Sequence, residues 1–178
     1  MARLDILTFP DPRLADRAVP VETVDDSIRT LIEDMLETMY AAEGIGLAAP
    51  QVGVQQRIIV VDCGERDPDE EEGPLQPVEP MAVINPEVVE AHGKITWTEG
   101  CLSVPGYTDD VDRASNVVVT GLDKNGEPLR IEAEGLLAVC LQHEIDHLEG
   151  TLFVDRLSRL KQNMVKKKLK KRASEALA

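Results

Sequence analysis

The stretch that decides the fold is GLLAVCLQHEIDHLEG, residues 135–150. Leu136, Leu137, Val139, Cys140 and Leu141 make its first turns apolar nearly all round, and a helix of that kind is buried. Gly150 ends it. His143 and His147 lie four residues apart, so both imidazoles sit on one helix face about a turn from each other and can reach one metal ion. Glu144 follows the first histidine, close enough to hydrogen-bond a metal-bound water without being a ligand. A bound metal draws the pKa of water down towards ~7, where a carboxylate can take its proton. Two of the three histidines in the chain fall in this motif, inside a buried segment, which makes chance spacing a poor explanation.

Working outward from that helix, the pattern ahead of it is short strands. Residues 115–122 and 128–133 flank Asp123-Lys124-Asn125-Gly126, a strong hairpin signal because Asn-Gly tolerates positive φ. Residues 81–85, 88–92 and 94–98 read as strands, with a turn at His92-Gly93. RIIVVD, residues 57–62, is a β-branched run typical of a buried strand, and it is preceded by the glycine-rich, apolar GIGLAAPQVG at 44–53. Near the N-terminus, Ile28, Leu31, Ile32, Met35, Leu36 and Met39 recur at helical spacing behind Asp25 and Asp26, predicting a helix over 25–40. Past Gly150, Leu157, Leu160, Met164, Val165 and Leu169 line one side of a basic helix over about 156–173. Helix, short strands, helix, helix, without internal repeats, argues an α+β fold. Mainly antiparallel sheets pack around the central buried helix, with an N-terminal helix and a basic C-terminal helix, all within a single domain spanning 1–178.

Charge divides the chain. Of 33 acidic and 19 basic residues, 32 acids and 10 bases lie within 1–155, whereas nine bases and no acid lie between Arg156 and Arg172. Residues 64–80 hold seven acids, four prolines and two glycines, which reads as an acidic surface loop. No stretch approaches the ~20 apolar residues of a membrane span, and the opening MARLDILTFPDPRL has no apolar run of signal length. Three cysteines without regular spacing do not make a disulfide framework. The expectation is a cytoplasmic protein with no membrane partner, using any functional cysteine as a thiolate.

A catalytic site on two histidines needs a third protein ligand and an open position. His92 sits at a turn beside glycine, where solvent is its natural surrounding. Glu149 is two residues past His147 and points round the helix, while Asp155 and Glu175 stand at the start and far end of the basic tail. Cys63 has no other chemistry beside it. Cys140, a short side chain one turn before His143, suits a pocket wall better than a ligand. Cys101 ends a strand in Glu99-Gly100-Cys101-Leu102-Ser103, where glycine lets backbone approach closely. Elimination favours Cys101 and leaves the question open at this point.

GIGLAAPQVG at 44–53, EGCLS at 99–103 and QHEIDH at 142–147, in this order, resemble the three signature motifs of bacterial-type peptide deformylases. A lone His-Glu-x-x-His is moderately specific and the three together are highly so; the likeness extends from FPDPRL through the basic C-terminal helix. The resemblance implies Cys101, His143 and His147 as ligands of one divalent ion, usually ferrous iron, with zinc, nickel or cobalt able to substitute. It implies Glu144 as general acid/base, and the Gln51 side chain with the Leu102 backbone N–H as donors to the oxyanion. Metal-bound water would then attack the formyl group on the initiator methionine of nascent polypeptides, releasing formate.

The same resemblance implies a substrate pocket lined by Ile45, Trp97, Leu136, Val139 and Cys140, with backbone at Ile45 and Gly46 pairing to the N-formylmethionyl peptide as an added strand. Glu99 and Asp146 would support the ligands from behind, Arg113 pairing with one of them. The sequence departs from the family pattern at Gly106-Tyr107-Thr108-Asp109-Asp110, where many members carry a basic residue. The basic tail resembles a helix that, in some bacteria, docks on ribosomal RNA. Two other readings stand beside this one: a peptidase on the same motif, and a catalytically dead module that binds metal or ribosome. The first lacks the usual histidine or carboxylate third ligand, and the second has no use for Glu144 and Gln51.

Overall fold

A computed structural model describes residues 2–64 and 79–177. Most of the acidic loop expected over 64–80 lies outside the described residues. Asp25 starts the first helix, α1 (Asp26–Ala41), its side chain accepting a hydrogen bond from the Ile28 N–H at 3.1 Å. The apolar stripe read from the sequence faces inward, with Ile28, Ile32, Met35 and Met39 buried.

Five antiparallel strands form the main sheet in the order β1 (Gly46–Ala48), β2 (Ile58–Val61), β3 (Met81–His92), β6 (Asn116–Leu122) and β7 (Pro128–Glu134). Alternation along β2 divides the core. Ile58 and Val60 pack with α1, whereas Ile59 and Val61 pack with the helix on the opposite face. That helix is α2 (Gly135–Leu148), whose Ala138, Cys140, Leu141 and Leu148 meet Val83, Val117, Val119 and Ile131 from the sheet. The Gln142 amide further ties α2 to the connection between residues 113 and 116, exchanging hydrogen bonds with the backbone N–H and C=O of Ala114. A separate hairpin of β4 (Ile95–Cys101) and β5 (Val104–Arg113) leaves the main sheet between β3 and β6. With α3 (Arg159–Leu177) and the turn before it, the hairpin encloses a third cluster of Val104, Val111, Phe153, Val165 and Leu169. Among the described residues no helix is long and apolar enough to cross a membrane.

The structure alters three sequence expectations. The two strands expected at 81–85 and 88–92 are one strand, β3, with its register shifting between Ile84 and Glu87. Asn85 adopts φ +53° there, and its side chain bonds the backbone N–H and C=O of Val21, an interaction that holds the bulge in place. Strand β5 has no counterpart in the sequence reading, because Pro105, Gly106 and three aspartates break its alternation. Finally, the basic helix starts at Arg159, not about 156. Phe153–Arg156 is a separate 3-10 turn, Leu157 is extended (φ −77°, ψ 168°), and the Ser158 hydroxyl caps the helix from Lys161 N–H.

Candidate metal centre

Three elements converge on one point. α2 supplies His143, Glu144 and His147, all buried in its last two turns. β4 ends at Cys101, and the two-residue turn of Leu102 and Ser103 leads into β5. The 3-10 turn Ala49–Val52 after β1 presents Gln51, which is 1% exposed. One ligand atom each from Cys101, His143 and His147 lie within 4.8 Å of one another, and the Cys101 Sγ is 3.4 Å from His147 Nε2. His143 points its Nδ1 the other way, to Glu99 Oε1 at 2.8 Å, which leaves Nε2 turned towards the centre. One sulfur and two imidazole nitrogens, converging with no fourth ligand in the group among the described residues, fit a small divalent cation with a position left open.

Burial sets the protonation of these groups. Glu144 has its carboxyl pushed up to about 7, chiefly by loss of solvent, against the pull of His143 and Arg113. Its Oε2 is buried without a hydrogen-bond partner among the described residues, and Oε1 lies 3.9 Å from His143 Nε2. His147 is driven well below the ordinary histidine range, by burial first and then by the charges of His143 and Arg113. Burial also opposes a charged His143, but the Cys101 thiol and the Glu99 carboxylate outweigh it and raise its pKa. A carboxylate behind one ring and an unprotonated second ring suit ligation.

The carboxylates behind the centre are themselves held. Arg113 donates to both oxygens of Glu99, each at 2.7 Å, and through Nη1 to Asp146 Oδ2 at 2.7 Å. The sequence suggested that Arg113 pairs with one of these acids; it pairs with both. Burial would raise the Glu99 carboxyl, yet Arg113 and His143 hold it below its usual range. Gln51 is equally committed. Its Oε1 accepts from Ala48 N–H at 2.9 Å, and its Nε2 donates to Ser103 Oγ at 3.0 Å and towards Cys101 Sγ at 3.5 Å.

A cavity of about 530 Å³ opens onto the centre. All six residues expected to contact substrate line it: Ile45, Gly46, Trp97, Leu136, Val139 and Cys140. Gln51, Cys101, Leu102, His143 and Glu144 line it too, whereas His147 lies behind the wall, 1% exposed. A Cβ on Gly46 would stand 2.6 Å from Glu144 Oε1, so only glycine lets β1 pass this close to the carboxylate. The sequence reading missed the wall from Val104 to Thr108, which belongs to the unrecognised strand. The acidic departure beyond it turns away from the cavity. Tyr107 OH donates to Asp109 Oδ2 at 2.6 Å, and Lys161 of α3 reaches Asp109 Oδ1 at 3.2 Å.

The eliminated candidates lie elsewhere. His92 is exposed, Glu149 binds Arg57 and Arg17, and Asp155 pairs with Lys166 and accepts from Leu152 N–H. Cys63 packs against the apolar cluster that contains Cys140.

Cysteine, two histidines and a buried glutamate on one helix-centred site define a metallohydrolase type of centre. Comparison narrows the class. The family model described as polypeptide deformylase matches residues 3–163. A peptide deformylase of Alkalilimnicola ehrlichii is 56% identical over 171 residues, 96% of this chain and 91% of the relative. The crystal structure of peptide deformylase from Ehrlichia chaffeensis superposes with a TM-score of 0.90 at 46% identity, covering 99% of this chain and 100% of that one. A second structure of the Ehrlichia chaffeensis enzyme, in complex with actinonin, gives 0.86 at 48% identity, over 97% of this chain and 98% of that one. This chain belongs to the peptide deformylase family, and it is a hydrolase.

Proposed function

We propose that this protein removes the N-formyl group from the initiator methionine of nascent polypeptides and releases formate. The observation that carries the reading is the meeting of Cys101, His143 and His147 beside a largely apolar cavity, whose wall includes Cys101, His143 and Glu144 with His147 just behind it. In this reading those three residues hold a divalent ion, ferrous iron being favoured over zinc, nickel or cobalt by family resemblance. Such an ion, when bound, would polarise the formyl oxygen and make water a better nucleophile.

The chain's own groups do the rest. Leu136, Val139 and Cys140 accept the methionine side chain, with Ile45 and Trp97 across from them. Backbone at Ile45 and Gly46 pairs with the peptide as a short added strand. Glu144, its carboxyl raised towards neutrality by burial, takes a proton from the attacking water and delivers it to the departing amine. The Gln51 amide and the Leu102 backbone N–H donate to the oxygen as negative charge develops on it. For Gln51 this means sharing an N–H now directed at Ser103 or Cys101.

The unit doing this is taken to be one domain, acting in the cytoplasm, where the three free thiols stay reduced. Lys167, Lys168, Lys170, Lys171 and Arg172 are exposed on α3 and make no ion pair among the described residues. They suit docking on the phosphate backbone of ribosomal RNA. Co-sedimentation with ribosomes checks this; binding that survives deletion of residues 159–178 would remove it. The deformylase reading is checked by formate release from a formyl-methionyl peptide, with no release from fresh metal-loaded protein as the contrary result.

A further inference from the structure

Between α2 and α3 the 3-10 turn Phe153–Arg156 lies against the metal centre from outside. Phe153 stacks on the His143 ring, with centroids 6.1 Å apart and planes at 25°. Arg156 grips Asp146 with both arms, Nε to Oδ2 at 2.6 Å and Nη2 to Oδ1 at 2.7 Å. Asp146 Oδ2 also accepts from Arg113 Nη1, Arg113 holds Glu99, and Glu99 Oε1 meets His143 Nδ1. An unbroken line of paired charges therefore runs from solvent to the ring. Side-chain exposure falls from 44% at Arg156 to 13% at Asp146 and 1% at Arg113.

We infer that Arg156 is a positioning residue for His143, acting through Asp146, Arg113 and Glu99. The charge count gives the reason. Glu99 and Asp146 contribute two negative charges and the buried Arg113 one positive, so Arg156 makes the line neutral. Without it, a single guanidinium must serve two carboxylates in a place where an uncompensated charge is costly. Arg113 then shifts towards Asp146 and loosens its hold on Glu99, and the His143 ring loses part of what fixes its orientation and basicity. An exposed ion pair by itself contributes little. This one differs because its partner belongs to a buried network ending on a proposed ligand.

The inference rests on the reading of His143 as a metal ligand. It is tested on cobalt-loaded protein by three measurements: the rate of cobalt release to excess chelator, the visible cobalt absorption, and kcat and KM on a formyl-methionyl peptide. Direct partners of metal ligands typically account for about 10–100-fold in affinity or activity, and Arg156 acts three links beyond the direct partner Glu99. Arg156→Ala is therefore expected to speed release about threefold to tenfold and lower kcat similarly, with KM within about twofold. Arg156→Lys restores most of the loss, and Arg29→Ala, which removes an exposed pair with Asp26 on α1, changes none of the three. A wild type that releases no formate overturns the functional reading and this inference with it. A fully active wild type beside an Arg156→Ala variant with unchanged release rate and spectrum, even if its Tm is lower, overturns this inference alone.

Discussion

α2 and α3 treat charge in opposite ways. α2, of 14 residues, carries His143, Glu144 and His147 into the interior, together with a carboxylate network built around Arg113. α3, of 19 residues, buries Val165 and Leu169 and leaves its lysines, with Leu160 and Met164, in water. A charge inside a low-dielectric core must be matched partner by partner, and each mismatch is felt. A charge in water matters weakly alone and chiefly in sum, to something outside the molecule. The two helices thus separate matched, buried charge from exposed, unmatched charge within one short chain.

The largest break in that comparison comes from the ligand set. Cys101→Ala should lose its metal on purification and fall to background activity, as metal analysis and formate assay will show; full metal content in that variant would mean that the sulfur is not a ligand. Next comes the network behind it. Arg113→Leu leaves the buried Glu99 without its guanidinium and Asp146 with Arg156 alone, and a loss of about 3–5 kcal/mol of stability is expected in denaturant unfolding. On α3 the apolar face carries the stability. Leu169→Ala should cost about 2–3 kcal/mol, the lower part of the range for a buried leucine, because the site lies near the surface of the third cluster. The smallest effect is the sharpest contrast: changing Lys167, Lys168 and Lys171 together to Ala should move stability by no more than about 0.5 kcal/mol. The same triple change should flatten the salt dependence of ribosome binding. A destabilisation rivalling Arg113→Leu would erase the distinction between the helices.

What the sequence disclosed follows from how local each signal is. The position of His143 and His147 on one helix face depends only on a four-residue spacing, and Glu144 is read from its place beside the first of them. Asp25 as a cap and the Asn125-Gly126 turn, where Gly126 takes φ +80°, are equally local. Cys101 could be reached because so few other candidates remained. By contrast, β5 was hidden because its residues answer to the hairpin and to α3, as the Asp109 to Lys161 contact illustrates, rather than to an alternating pattern. Asn85 and Pro86 read as a strand end because a bulge anchored on Val21 is a long-range fact. Phe153 gave no signal, and Arg156 read only as the first base of the tail helix. Their meaning arises only when the chain folds back and sets that turn against His143 and Asp146.

The central claim is that Glu144 moves the proton while the neighbouring residues hold the ion. Formate release from a formyl-methionyl peptide by wild type and Glu144→Ala, with metal content measured on the same samples, tests it most directly. A loss of about 10²–10⁴-fold in kcat with the metal retained is the expected result. Comparable turnover by a metal-loaded Glu144→Ala variant would contradict it.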